Sequence, residues 1–385
     1  MRLSCVQENL AKGLAAVGRA VATRSTLPVL GNVLIETDQG RLKLAATNLE
    51  IGVTCWVGAM VESEGSLTIP GKLLGDLVSS LSADRRINLS TKNNSLHVTV
   101  EGGSFDATLR GIPAEEFPMI PQVSGQPSWV LAPRELQEGL SQVAFAAASD
   151  DTRPILAGVQ FVFRGGSLHL AAADGFRLAV REVEVAQAVG EDLDLVVPAR
   201  AVQELTRLLG DQEESVEITV TPNRNQVLFH LSTTDLVSRL IEGTFPNVQQ
   251  IIPTRFATKV ILPTKEFQNI AKVASLISRD ANNIVKLSID GESTHGPEGS
   301  PGSVVVAAQG DVGEVKNEVS AVIEGEQSQL TIAFNGKFLQ EVLSAVTTSQ
   351  VSLELNSPAS PGVIRPVGGA RLTHVIMPMH LTRKE

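Results

Sequence analysis

The sequence predicts an α+β chain of three similar domains, each with two helices and about eight strands. Three observations carry this. A strand–helix unit recurs three times along the 385 residues. A second strand–helix–strand unit recurs in step with it. Short alternating runs, joined by Gly, Asn or Asp turns, lie between the helices, as in antiparallel sheet. One hydrophobic core is not expected at this length, because domains usually run about 100–200 residues.

In the first copy, residues 2–6 read as the opening strand and 9–21 as the helix, with Leu10, Leu14, Val17 and Val21 at helical spacing. The second copy repeats this over 129–132 and 133–147, with Leu136, Leu140 and Val143. The third does so over 259–262 and 263–277, with Phe267, Ile270, Val273, Ala274 and Ile277. Pro133 and Pro263 are expected at the first helical position, where the missing N–H has no partner to lose. The second helix follows Pro70, Pro198 and Asn335, and in each copy an alternating strand comes next (86–91, 216–221, 350–355). Further strands are read at 33–36, 42–46, 53–60, 158–164, 168–172 and 178–185, with turns at 38–40 and 164–166. Pro70 to Pro198 and Pro118 to Pro246 are both 128 residues apart, an offset two landmarks rarely share by chance. The expected domains are 1–123, 128–248 and 255–385. Pro and polar residues mark the borders, and 291–303, rich in Gly, Ser and Pro, reads as a surface loop.

Composition narrows the function. The hydrophobic share is 43%, the charged share 19%, and aromatics are only 4% with no Tyr, so aliphatic residues must fill the cores. A net charge of −10, from 42 acidic and 32 basic residues, speaks against a protein coated in basic charge. Any nucleic-acid contact must therefore be a local patch. Cys5 and Cys55 fit no zinc or redox spacing and read as free thiols of a reducing compartment. The first fourteen residues mix Arg2, Gln7, Glu8 and Lys12 among apolar ones, so no signal peptide is expected. No apolar run of about 18 residues is present, so no membrane span is expected.

Four segments resemble one known family. Thr26-Leu-Pro-Val-Leu-Gly-Asn32 is similar to the TLPILGN-type segment of bacterial sliding DNA clamps. Ala172-Ala-Asp-Gly-Phe-Arg-Leu-Ala179 is similar to their TDG(H/Y)RLA segment, and Gly243-Thr-Phe-Pro246 to their G-(R/K)-(F/Y)-P. Val375-Ile-Met-Pro-Met-His-Leu381 resembles their VMPM(R/K)L ending. The segments stand in family order and span essentially the whole chain.

The resemblance implies the DNA-clamp fold and a head-to-tail homodimer closed as a ring, with helices lining the hole and sheets outside. Such a ring would encircle duplex DNA without reading sequence, slide, and serve as a processivity factor. The implied partners are the replicative polymerase alpha subunit, an ATP-dependent clamp loader, and other polymerases and repair proteins that dock by short linear motifs. The implied place is the cytoplasm, at the nucleoid. No cofactor, metal or catalytic residue is implied.

Residue by residue, Arg24 and Arg153 match DNA-contacting positions. Over the six expected helices (7–21, 70–81, 133–147, 198–209, 263–277, 336–346) nine basic residues stand against seven acidic ones. Lys12, Lys72, Arg200, Arg207, Lys272 and Lys337 are the further DNA candidates among them; an ordinary solvated face is the alternative for each. Contacts of this kind go to phosphates. A partner-peptide pocket is implied at Leu156, Asp174, Gly175, Phe176, Arg177, Leu178, Pro246, Ile251, Asn335, Phe338, Val375, Met377, Pro378 and Met379: an apolar anchor site with a few orienting polar groups, and methionines that repack for several partners. Plain core is the alternative for Met377, Leu178 and Ile251. Ala173, Phe176, Phe338 and His380 depart from the family's usual Thr, His or Tyr, Tyr, and Arg or Lys, which shifts the expected peptide preference toward the apolar. The residues after Leu381 extend past the family's usual end. Ala107, Leu109, Leu276 and Ile277 match the dimer contact; Leu276 and Ile277 are otherwise internal core.

Enzyme readings fare worse. The stretch from Gly65 to Lys72 resembles a phosphate loop, but it has five residues between its glycines and Leu73 where Ser or Thr is required. Its repeat partner, Ala199-Arg200, marks it as a helix start. His97, His169, His230, His295, His374 and His380 are scattered, and Asp150-Asp151 reads as a turn. A hydrolase or transferase with a site assembled from distant residues, and a protein-binding scaffold that never encircles DNA, remain the rival readings.

Overall fold

The computed structural model describes residues 1–121, 128–150, 152–188, 191–291, 302–325 and 329–380. Several expectations fall outside them: most of the border near 121–128, Asp151, most of the loop at 291–303, and the tail from Leu381 on. Among the described residues there are six α-helices: α1 (Gln7–Gly18), α2 (Gly71–Ser80), α3 (Pro133–Val143), α4 (Ala199–Leu208), α5 (Thr264–Ile277) and α6 (Gly336–Ala345). Five follow directly on a strand, and α3 follows one after the single residue Ala132. Pro133 opens α3 as expected, but Pro263 stands one residue outside α5, as its extended N-cap. Asn335 caps α6, its Oδ1 accepting from Lys337 N at 3.0 Å and Phe338 N at 3.3 Å. The stretch from Gly65 is a strand, Ser66–Pro70, running into α2, which is a helix start and no phosphate loop.

The chain gathers into two compact units. The first comprises Met1–Gln137, Val185–Glu191 and Gln203–Leu240. It holds a five-stranded antiparallel sheet, in the order Met60–Ser63, Arg2–Val6, Arg86–Lys92, Ser95–Val100, Asp106–Arg110. A nine-stranded sheet joins two repeats where Thr234–Arg239 pairs with Ile51–Val57, with Leu236 opposite Val53. The run expected as one strand over 53–60 is broken at Gly58-Ala59, because its two halves serve different sheets. Helix α1 lies close on the nine-stranded sheet: a Cβ at Gly13 would overlap the side chains of Val57 and Leu44.

The second unit comprises Glu138–Glu184, Asp192–Val202 and Ile241–Glu385. Its twelve strands form one series, joined across repeats where Leu372–Ile376 pairs with Arg177–Glu184. Here the strand that was broken in the first repeat is continuous: Gly313–Gly325 pairs along Gly313–Ala321 with Gly302–Gly310, then with Thr258–Ile261. The core beneath α5 and α6 includes Phe267, Phe334, Leu339 and Leu343.

Both joins follow one rule: the last strand of a repeat pairs with the third long strand of the repeat before it. Two edges are left over. Asp106–Arg110, the last strand of the first repeat, is bonded only to Ser95–Val100 among the described residues. The first half of Gly313–Gly325, in the third repeat, is bonded only to Gly302–Gly310 among the described residues. Exposed edges of this kind are templates for pairing with another chain.

Candidate functional site

The pocket residues begin at a turn. Strand Ser167–Ala173 ends, and Asp174 Oδ1 accepts from Phe176 N at 2.9 Å and Arg177 N at 3.0 Å. Gly175 takes φ +92°, a conformation open mainly to glycine. The turn holds Phe176 out into solvent, 61% exposed, and starts the next strand at Arg177. The first repeat makes the same turn with Asn48, whose Oδ1 accepts from Glu50 N and Ile51 N, but with Leu49 at φ +75°.

Arg177 is the hub. It is 9% exposed, and its Nε donates to Asp174 Oδ2 at 3.0 Å, its Nη2 to the Phe145 carbonyl at 2.6 Å and its Nη1 to Glu341. Its guanidinium lies over the Phe338 ring at 4.3 Å and the Phe145 ring at 5.3 Å. One buried cation thus ties the turn at 174 to the residues after α3 and to α6. A lone buried charge would be costly; two carboxylates, a carbonyl and two ring faces compensate it.

Leu156, Leu178 and Val375 are buried together with Ala173, Phe245, Val248 and Val363 and form an apolar floor. Leu178 and Val375 face each other across paired strands. Over this floor Met377 is 41% exposed, and Ile251 and Pro246 are exposed. Pro378 and Met379 are half-buried, with Met377 N donating to Phe176 O and Met379 N to Ala333 O, both at 2.8 Å. So Leu178 is core, as one alternative had it, whereas Met377 and Ile251 offer apolar surface to solvent. Asn335 is occupied in capping α6, and Phe338 in receiving Arg177.

Sequence reasoning missed His374, Phe145 and the partner of Glu341. His374 is fully buried, its ring 5.7 Å from that of Phe145, and neither ring nitrogen has a hydrogen-bond partner among the described residues. Burial, and secondarily the Arg177 charge, lower its pKa to about 3. The alternation Leu372, His374, Ile376 puts it on the inward face and was the signal available. The unfolded chain takes up this proton near the ordinary histidine value of 6.5, while the native state refuses it until about 3. Native stability attributable to this group therefore falls as pH drops below 6.5. Between pH 7 and 5 the loss is about 2 kcal/mol. Urea unfolding at both pH values should show it, and His374→Leu should remove most of it.

The cationic candidates divide. Arg24, Lys72, Arg200, Lys272 and Lys337 are exposed, and Lys12 is exposed but bridged to Glu8 at 2.9 Å. Arg207 is half-buried, paired with Glu204 at 3.1 Å and donating to the Ala16 carbonyl at 3.0 Å near the end of α1. Arg153 donates to the Asp174 carbonyl at 2.7 Å, which sets it beside the pocket turn. Of the interface candidates, Leu276 is 51% exposed, which excludes it from the core; Ile277 is half-buried, and its carbonyl lies where a Cβ at Gly310 would fall. Helix α5 thus ends beside the unpaired edge of Gly313–Gly325. Among the described residues no group of His, Cys, Asp and Glu could hold a metal, and no helix is long and apolar enough to cross a membrane.

Comparison with known proteins agrees in every part of the chain. Family models for the N-terminal, central and C-terminal domains of the DNA polymerase III beta subunit match residues 1–121, 130–247 and 249–380. A beta sliding clamp of Synechococcus elongatus is 36% identical over 384 residues, covering 99% of this chain and all of that one. A beta sliding clamp of Staphylococcus aureus is 29% identical over 94% of both chains. The sliding clamp of Bacillus subtilis superposes with a TM-score of 0.88 at 25% identity, over 99% of this chain and all of that one. The clamp of Pseudomonas aeruginosa bound to griselimycin does so with a TM-score of 0.88 at 27% identity and the same coverage. With a threefold repeat, two repeat-joining strand pairs and matches along its whole length, the chain belongs to the bacterial DNA polymerase III beta subunit family, the sliding clamps.

Proposed function

We propose that two copies of this chain close head to tail into a ring around duplex DNA, and that the ring tethers the replicative polymerase and other DNA enzymes as a non-catalytic processivity factor. The observation that carries this is the pair of unsatisfied edges. The repeats are joined twice within the chain by the same strand pairing, and the third such pair lacks a partner on each side. Asp106–Arg110 of one copy and the first half of Gly313–Gly325 of another supply it. Ala107 and Leu109 then lie in the joint, with Leu276 and Ile277 beside it. The repeating units of the ring are the three domains 1–123, 128–248 and 255–385.

Duplex DNA is held by phosphate contacts alone, from Arg24, Lys12, Lys72, Arg200, Lys272 and Lys337, with Arg153 and Arg207 contributing where their protein partners release them. Such contacts permit sliding. The ring acts in the cytoplasm, at the nucleoid, and is placed on DNA by an ATP-dependent loader. Polymerases and repair proteins insert an apolar anchor over Leu156, Leu178 and Val375, under the lip formed by Phe176, Pro246, Ile251 and Met377 to Met379. Arg177 with Asp174, and Asn335 with Phe338, hold that lip in place.

The test is Arg24→Ala combined with Arg153→Ala. Loading onto nicked circular DNA should fall several-fold and become less steep in salt, while sedimentation shows the dimer intact. Unchanged loading would remove both residues from the DNA surface.

A further inference from the structure

The outer face of the second unit's sheet carries more than the apolar floor. Leu178, Val180 and Glu182 alternate along one strand, and Val375 and Thr373 stand opposite the first two of them. Side chains opposite one another in an antiparallel pair share a face, so this face continues two residues at a time from the floor. Across the next pairings it takes in Ala171 and His169 on one side and Val363 and Arg365 on the other. The apolar floor therefore runs into a polar annex. A cavity of about 440 Å³ lies there, lined by His169, Glu182, Arg365, Arg371 and Thr373 and flanked by Gln249 and Ile252. Gln249 and Ile252 belong to the same segment that sets Ile251 at the pocket.

The charges of the annex are unequally exposed. Arg371 reaches in from the surface, its side chain 79% exposed, and bonds Glu182 at 2.6 Å. Arg365 donates to Thr373 Oγ1 at 3.2 Å and pairs with Glu354, which does not line the cavity. Each guanidinium is the more exposed member of its ion pair, 79% against 23% for Arg371 and Glu182 and 32% against 11% for Arg365 and Glu354, so the annex turns its cationic groups outward and keeps its carboxylates behind them.

We propose that the annex receives the stretch of a docked partner that flanks its apolar anchor, and that it selects an acidic side chain there. This rests on the pocket reading above. From Leu178 to Glu182 is four residues, so about 13 Å at the strand rise. The acidic residue is accordingly expected about four residues from the anchor in an extended peptide.

The experiment uses the full-length dimer and three fluorescent peptides built on the docking segment of the cognate polymerase alpha subunit. One carries alanines on both flanks, one an Asp pair four residues before the anchor, and one an Asp pair four residues after it. One Asp peptide should bind about five- to ten-fold more tightly than the alanine peptide at low salt. That gain should disappear at high salt and in Arg371→Ala, while the alanine peptide binds the variant and the wild type alike. No gain from either Asp peptide, or a gain that survives Arg371→Ala, would overturn the annex and leave the pocket standing. No binding of any peptide would overturn the pocket and the annex together.

Discussion

Leu276→Asp is expected to leave the chain folded but to separate the dimer. Leu276 is 51% exposed in the single chain, so the substitution buries no charge there and leaves no cavity. It sits at the end of α5, beside the edge of Gly313–Gly325 that, among the described residues of the single chain, has no strand against it and that the proposed ring pairs with Asp106–Arg110 of the other copy. Burying a leucine is worth about 2 kcal/mol, and forcing a carboxylate into that place adds a desolvation cost. A ring of two copies has two such joints, so the loss counts twice and the dimer dissociation constant should rise on the order of 1,000-fold, since each 1.4 kcal/mol is tenfold. Sedimentation velocity reads the change, and unaltered circular dichroism and thermal unfolding of the monomer confirm that the chain still folds. A dimer of unchanged affinity would mean that the two free edges do not meet.

The second large effect is expected at Arg177. Its guanidinium touches a carboxylate in the turn, a carboxylate on α6, the carbonyl after α3 and two phenyl faces. Arg177→Ala leaves Asp174 and Glu341 without their cation and opens space under Phe338. Breaking a buried pair from one side costs about 3–5 kcal/mol, and the partial exposure of Glu341 places this case toward the lower figure. Stability in urea should fall accordingly. Peptide affinity should fall more than ten-fold, because the turn that presents Phe176 and the helix that carries Phe338 lose their common tie. Arg177→Lys should recover part of the charge but little of the geometry, since an ammonium has neither the planar fork that reaches three acceptors nor the flat face that lies over the two rings. If Arg177→Ala kept full peptide affinity, the hub would be structural only.

The fold was largely legible in the sequence because its signals are local and repeated. The six helices were found within a few residues at each end, since leucines and valines at helical spacing must face a sheet. The 128-residue offset exposed the repeat. What periodicity could not show was sheet membership. A run such as 53–60 alternates equally well whether or not it changes sheets at Gly58-Ala59, and only the pairing reveals the break. The proposed pocket was legible through the family resemblance alone. Leu178 and Val375 look like any strand residues, and their meaning comes from the register that sets them opposite each other. Charge was read less well. Glu341 counted as one more acid on a helix, yet it neutralises Arg177; Arg207 counted as a DNA candidate or a solvated residue, yet it bonds Glu204 and the end of α1. His374 alternates with Leu372 and Ile376, which marks the inward face, but a lone histidine is usually solvated, so that signal was not taken up.

The most direct test of the central claim is retention on DNA at high salt. The protein is loaded by its cognate loader onto nicked circular DNA, half the sample is linearised, and both halves are moved to high salt. Contacts that depend on counterion release weaken alike on the two forms. A closed ring stays on the circle and leaves the linear molecule over its ends. Equal loss from both, after loading is verified at low salt, would contradict the ring and leave a protein that binds DNA by its surface.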